Sequence, residues 1–494
     1  MGRLCRLWPA LLGAGLAVLA LGPALAWGFV LRYDLVFVPD PPILPDSGGF
    51  PRAVPSDLVV ALLSRVLPGE LVQKGLLAGI FVLAASGAAA LVPPERRVAR
   101  LVAAVFYAWN IYLAQRLLLG QWALLLGVAA LPWAVRATAM APARPAARAV
   151  GSVAGWGRLV VASVPAAVGG FQAMLVTALT VAPIAVARRR VAVVGVTLGV
   201  LSLPWLVPAL TSGAVTDPAG VDAFAARADG PFGVLGSLLS LGGIWNAEAG
   251  VPGQEAWWLA TGRLLLALAG LYGYARMRTE ERPGWWGGLA VAAAAGFGVA
   301  CLGAFAPGVL KWLIGAWAGF GPLRDGQAYL APMVLVAAVG LASLLRSGAP
   351  AVVGLLAPVL VLPTFAWGAS GRLAAVPYPQ EWRTVQRIVN ADPAPGALLS
   401  LPWGAHRAFA WNGGRVVLDP AAKMFERRVV RDDTLLVGLP DGGRLRVRGE
   451  DPRNRLSLTG VRYVLVAGTE NRFPFDLRGW TPVHQGEGLT LLRR

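Results

Sequence analysis

The sequence predicts a polytopic α-helical membrane protein of about eleven spans, followed by a small C-terminal α/β domain. Three observations carry this. Of 494 residues, 56 % are hydrophobic and 14 % charged, whereas soluble domains carry about 25 % charged residues. Apolar runs of about 20 residues recur along most of the chain, the length of a helical crossing, and they are too long and continuous for barrel strands. From about residue 375 the pattern changes to regular polar spacing with short β-rich runs.

The formal net charge of +18 does not point to nucleic acid, because no basic stretch accompanies a recognition motif. Sixteen Lys and Arg residues instead fall in the short segments placed inside, as the positive-inside bias predicts. Cys5 and Cys301 give neither a disulfide framework nor a metal spacing. The two histidines, His406 and His484, exclude a multi-His metal site, and His406 is expected at the surface.

The first span is expected at about 8–30. Ala24-Leu25-Ala26 also resembles a signal cleavage site, but an uncleaved helix is favoured. Residues 57–74, broken by Pro68 and Gly69, suit short amphipathic helices lying in the interface. Spans follow at about 75–92, 99–113 and 121–135, with PPERRVAR and residues 136–158 as basic inner loops. The apolar stretch 159–187 is long for one crossing and short for two, since each half reaches only about 21 Å. A single crossing would put Arg188, Arg189, Arg190, Arg276, Arg278, Arg282 and Arg346 outside. A turn at Gly169-Gly170 puts them all inside, so two short helices are expected. Further spans lie near 191–210, 257–275, 286–308, 330–345 and 350–369. Outer loops are then 31–74, 211–256 and 309–329. The N-terminus is cytoplasmic, and residues 1–374 form the membrane part. The tail, 375–494, lies outside, with strands at ALLSLPW, RVVLDP, VRYVLVAG and LTLLRR and a helix at EWRTVQRIV.

The first outer loop concentrates carboxylates, Asp34, Asp40, Asp46 and Asp57, with Arg32 and Arg52 beside them, in a chain otherwise poor in charge; Asp34 is either a base or a loop acid, solvated or paired with Arg32. Such a cluster at a membrane face is either chemistry or a solvated lip. Other polar residues near the outer face are Asn110, Gln115, Arg116 and Gln121 in the third connection, Asn246 and Glu248 near Trp245, and Arg324 beside Asp325. They would line a polar cavity or stitch helices together, and the arginines would snorkel or bind anions.

Several stretches carry a resemblance: YDLVFVPDPP and FPRAVPSD in the first outer loop, WNIYLAQRLLLGQWALLLGVAALPW in spans three and four, then LLSLGGIWN, LRDGQAYLAP and GVRYVLV. In these the chain resembles the GT-C superfamily of polyprenyl-phosphate-sugar-dependent glycosyltransferases. More narrowly, it resembles actinobacterial membrane arabinofuranosyltransferases of cell-wall assembly. The resemblance implies sugar transfer from a polyprenyl-phosphate donor to an envelope glycan or glycolipid at the outer face of the plasma membrane. It also implies short fifth and sixth helices and an acidic catalytic residue in the first outer loop. Carried over, that residue is Asp34. Many members pair two acids, but here the next is Asp40, six residues on, so a tight dyad is missing. Asp34 and Asp40 are the catalytic candidates. Arg324, Arg116, Gln115, Gln121, Asn110 and Glu248 are the substrate-binding candidates.

The chemistry needs a base within reach of the acceptor hydroxyl and cationic donors on the departing phosphate. No protein metal site is expected, although a divalent cation between phosphate and Asp34 is compatible with the residues. The tryptophans of the tail, Trp403, Trp411 and Trp480, are expected in its core rather than on glycan. A scaffold or accessory protein of envelope assembly and a lipid-linked glycan transporter are the competing readings.

Overall fold

The computed structural model describes residues 4–43, 54–141, 150–211, 217–280, 283–430, 435–439, 444–447, 458–468 and 477–494; Asp46, Arg52, Arg144, Arg148 and Arg282 lie outside them. Among the described residues, seven helices are long and apolar enough to cross a membrane. They become eight if Gly348–Leu360 and Pro363–Gly371, bent by 57°, count as one. The chain is therefore a multi-pass membrane protein. Helices stand at all the expected places, but fewer qualify as spans than the eleven anticipated. Phe171–Ala187 is short at 17 residues, and Trp257–Glu280 is diluted by Trp257, Trp258, Tyr272, Tyr274 and Arg263.

Several boundaries move. The first helix ends at Leu21, and Phe29–Val30 is a strand, not the end of a span. The interfacial segment is only Ser56–Ser64. Pro68, extended at ψ 134°, precedes one continuous 22-residue helix, Gly69–Ala90. Pro is well tolerated at a helix start, so it opens the second span rather than interrupting it. The expected inner loop at 136–158 shrinks, because helices run to Met140 and restart at Val150.

That extension resolves the length problem at 159–187. The two helices are Val150–Gly169 and Phe171–Ala187, parted at Gly170 with φ +81°. Gly170 lies beside Val54 of the first loop. At the opposite end Arg190 donates to the carbonyls of Thr138, 3.0 Å, and Ala139. The segment thus turns back, as the charge argument required. Arg97–Leu118 and Gly326–Leu344 form the centre, 94 % and 89 % buried, whereas Val191–Thr211 at 17 % lies on the rim. Trp257–Glu280 packs closely on Ala331–Leu344: a Cβ on Gly340 would lie 1.9 Å from the Gly270 carbonyl oxygen. Small residues let helix backbones approach where lipid provides no hydrophobic drive.

The tail is knitted to the first loop. Strands β1 (Phe29–Val30) and β2 (Ala375–Val376) pair antiparallel. After β3 (Ala397–Leu401) comes a hairpin, β4 (His406–Ala408) and β5 (Val416–Leu418). β6 (Val429–Val430) follows, then a second hairpin, β7 (Leu435–Gly438) and β8 (Arg444–Val447). β9 (Val461–Ala467), β10 (Thr481–Gln485) and β11 (Leu489–Arg493) complete a mixed five-stranded sheet in the order β10-β11-β9-β3-β6. The four expected runs are all strands, and EWRTVQRIV is the helix Gln380–Ala391, which buries Trp382, Val385 and Val389. Trp411 stacks on Phe409 at 5.3 Å, and Trp403 and Trp480 pack against the buried sheet residues, so these tryptophans serve the tail's core.

Candidate functional site

Asp34 stands on a tight turn. The Arg32 amide donates to the Leu35 carbonyl at 3.2 Å, and the Leu35 amide donates back at 2.8 Å. The turn sits on the end of the helix Ile111–Leu118. A helix leaves its last carbonyls without intrahelical partners. Here Arg32 Nε donates to the Leu118 carbonyl at 3.0 Å and the Asp34 amide to that of Leu119 at 3.2 Å. An arginine at this end also complements the helix dipole. The contact demands glycine at position 120, where φ is +83° and a Cβ would stand 2.1 Å from the Leu35 nitrogen. The LLLGQW stretch is therefore the seat of the acidic turn.

The tail closes the other side. Tyr33 pairs with β5: its amide donates to the Val416 carbonyl at 2.7 Å, and the Leu418 amide donates to the Tyr33 carbonyl at 2.9 Å. This pairing brings the β4–β5 hairpin over the turn. His406 Nε2 lies 3.9 Å from Asp34 Oδ1, with the Asp34 side chain 49 % exposed and the imidazole 7 %. The Nδ1 of His406 is buried without a hydrogen-bond partner. His406 is thus not a surface histidine: the hairpin folds it under, against the Tyr33 ring at 5.9 Å.

Tyr33 holds a left-handed backbone, φ +46°, uncommon for a bulky residue and costly unless its surroundings fix it. What fixes it is the strand pairing together with its hydroxyl, which donates to Glu248 Oε2. Burial raises the Tyr33 pKa, and the bond to Glu248 adds to the rise. Glu248 belongs to a 3-10 turn, Ala247–Ala249, begun by Asn246, whose Oδ1 accepts from the Glu248 amide at 3.1 Å. The same Asn246 oxygen accepts from the amide of Gly438 in β7 at 3.1 Å.

Guanidinium groups gather beside this turn. Arg32 Nη2 donates to the Glu248 carbonyl at 2.5 Å and Arg372 Nη1 to that of Gly250 at 2.5 Å. Arg415 is held by Asn412 Oδ1 at 3.1 Å, and Asn412 Nδ2 donates to the Leu31 carbonyl at 3.1 Å. Burial lowers the Arg32 pKa to about 10, the nearby charges of Arg372 and Arg415 contributing; it stays cationic at neutral pH.

The other sequence-based candidates divide. Glu248 joins Asp34 through Tyr33. Arg116 does not fit the phosphate role anticipated for it: it is wholly buried and engages Asp325 with both ends of its fork, at 2.6 and 2.8 Å. Its other hydrogen bonds go to Gln327 and Gln121, both at 2.6 Å. Asp325, the sequence neighbour of Arg324, is occupied by Arg116. Arg324 instead stacks on Phe224, 4.6 Å from the ring centroid. Gln115 donates to Asp229 at 2.7 Å and Gln254 at 3.1 Å. Asn110 caps Ile111–Leu118, accepting from the Leu113 amide at 2.9 Å, and donates to the Phe106 and Tyr107 carbonyls. These four, Asn110, Gln115, Arg116 and Gln121, stitch helices beneath the acidic turn. Asp40 lines a separate cavity described below.

Sequence reasoning missed His406, Tyr33, Arg372 and Arg415, of which only Tyr33, next to Asp34, had a local signal. Arg32, read as a pairing partner of Asp34, instead donates to the Leu118 and Glu248 carbonyls. Among the described residues no group of three or more His, Cys, Asp or Glu side chains could hold a metal ion.

No family model and no curated protein matches the sequence. Among solved structures, the cryo-EM structure of arabinofuranosyltransferase AftD from mycobacteria matches with TM-score 0.56 and 14 % identity, over 100 % of this chain and 40 % of that one. Two structures of a variant of AftD match with TM-scores of 0.56 and 0.53, at 14 % and 16 % identity, over 42 % and 41 % of their chains. The chain thus spans about 40 % of the length of the structures it matches. At this identity the likeness is one of fold: the chain is folded like about 40 % of AftD.

Proposed function

We propose that the protein transfers a sugar, arabinofuranose being the first candidate, from a polyprenyl-phosphate donor to a hydroxyl of an envelope glycan or glycolipid at the outer face of the membrane. The observation that carries this is a half-exposed Asp34 carboxylate on a turn braced from both sides, with Arg32 in the same turn and the charges of Arg372 and Arg415 close to Arg32. Asp34 takes the proton of the acceptor hydroxyl as that oxygen bonds to the anomeric carbon. The bond from the anomeric carbon to the phosphate oxygen breaks, and the electron pair leaves with the phosphate. Arg32, Arg372 and Arg415 stabilise the charge that develops there. Placing the base and the donors beforehand is what a rigid turn supplies. His406 borders Asp34, and Glu248 orients the turn through Tyr33. The extracytoplasmic setting follows from the positive-inside assignment of the opposite face.

Membranes carrying Asp34→Asn test this with a radiolabelled polyprenyl-phosphate sugar. General-base catalysis contributes about 10²–10⁴-fold, so transfer should fall by at least about 100-fold with donor binding retained. Transfer at the wild-type rate would remove Asp34 as the base and leave a scaffold role standing.

A further inference from the structure

A cavity of about 490 Å³, within the range of ligand clefts, opens between the first loop, the start of the Gly69–Ala90 helix and the tail helix Gln380–Ala391. Its polar lining is two carboxylates, Asp40 and Glu70, two guanidiniums, Arg65 and Arg383, and Ser64. An indole, Trp27, 65 % exposed, forms one wall. The lining is drawn from three separate parts of the chain. Asp40 is presented at a left-handed φ of +47°, held by Gln386, whose Nε2 donates to the Pro39 and Asp40 carbonyls at 2.9 and 3.1 Å. Gln386 and Arg383 share the tail helix Gln380–Ala391. Glu70 opens the second span and meets Arg383 at 3.5 Å.

We propose that this cavity binds a neutral saccharide, namely the acceptor glycan of the transfer reaction; the assignment of that glycan as acceptor rests on the transferase reading above. Charge decides the ligand class. Two arginines face two carboxylates, so the lining offers no net field for an anion such as phosphate or a lipid headgroup. It offers instead alternating donors and acceptors, the complement of vicinal hydroxyls. An exposed indole supplies the flat apolar face on which the C–H side of a sugar ring packs. Location decides how the glycan arrives. Leu62, Leu63, Val66 and Leu67 beside the cavity are exposed, as in a segment resting in the interface, so the saccharide is taken from the membrane surface.

The test uses the full chain in lipid nanodiscs and saturation-transfer NMR with a neutral arabinofuranose hexasaccharide, and with inorganic phosphate as competitor. The hexasaccharide should bind wild type and Asp34→Asn alike. Trp27→Ala and Asp40→Asn should each weaken it at least tenfold, and Trp27→Phe should keep most of the affinity. Absence of binding to wild type, affinity untouched by Trp27→Ala and Asp40→Asn, or displacement by inorganic phosphate would overturn the proposal. Because binding is read without turnover, failure of Asp34 as the base would leave this result standing, and the converse holds.

Discussion

Gly120→Ala probes the support of Asp34 without touching the carboxylate. The backbone there is at φ +83°, and an added Cβ would meet the Leu35 nitrogen at 2.1 Å, the Arg32 carbonyl oxygen at 2.6 Å and the Asp34 nitrogen at 2.8 Å. All three atoms are backbone, so no side chain can swing aside. The left-handed conformation alone costs an L-residue about 1–2 kcal/mol. Ordinary contact begins near 3.4 Å, so relieving the 2.1 Å approach moves the acidic turn by about 1 Å against the helix end, and displacement on that scale costs about 100-fold in rate. We expect a stability loss of about 2–3 kcal/mol, the strain plus the weakened bonds from Arg32 and Asp34. Transfer should fall by about 100-fold. Transfer by membranes, normalised to folded protein, and thermal unfolding in detergent report the two effects. Gly75→Ala is the control, since its Cβ would meet nothing within 4 Å. A Gly120→Ala protein that transfers sugar at the wild-type rate would refute the claim that this seat positions the base.

Arg116→Met should act on folding rather than on donor affinity. It leaves Asp325 uncompensated among buried groups, a cost of about 3–5 kcal/mol, read as lost folded protein in membranes. An Arg116→Met protein that folds normally but has a raised KM for donor would return Arg116 to the phosphate site. In the tail, Asp392 accepts from Arg462 at 2.6 Å and Tyr463 at 2.5 Å, and the side-chain bonds to Arg462 and Tyr463 hold its pKa below the usual carboxylate range. A lowered folded pKa gives stability that is present above the ordinary value and lost as the pH falls toward the folded one. The hydrogen-exchange protection factors of Val461–Ala467, taken relative to the intrinsic rate at each pH, should therefore fall below about pH 4, and Asp392→Asn should remove that pH dependence.

What the sequence revealed and what it hid follow from the range of the interactions. Crossing helices are local: an apolar run in lipid must satisfy its own backbone, so hydropathy located the seven or eight that qualify among the described residues. The turn at Gly170 was legible because charge conflicts with any other topology. The misplaced starts at Gly69 and Val150 have a common cause. A proline beside a glycine reads as a break, and an arginine-flanked stretch reads as a loop, yet both can begin a helix whose remaining turns are apolar.

The site divides the same way. Asp34 stood out because an acid in an apolar chain is conspicuous, and Gly120 was visible inside LLLGQW, though nothing in the sequence said what would lie on it. Arg116 and Arg324 were chosen because an arginine near the outer face suits a phosphate, but position along a helix does not reveal a partner. Asp325 lies 209 residues from Arg116 and takes its guanidinium. His406 reaches Asp34 only because β5 pairs with Tyr33, a long-range register that no local pattern encodes. The cation cluster forms the same way, from one residue before Asp34, one just ahead of β2 and one just ahead of β5. The carboxylate is thus the part of such a site that composition can flag, while His406, Arg372 and Arg415 are brought near it by pairing between distant segments. That division implies that exchanging the β4–β5 hairpin, with Asp34 untouched, would alter the chemistry more than any change within the buried polar network beneath it.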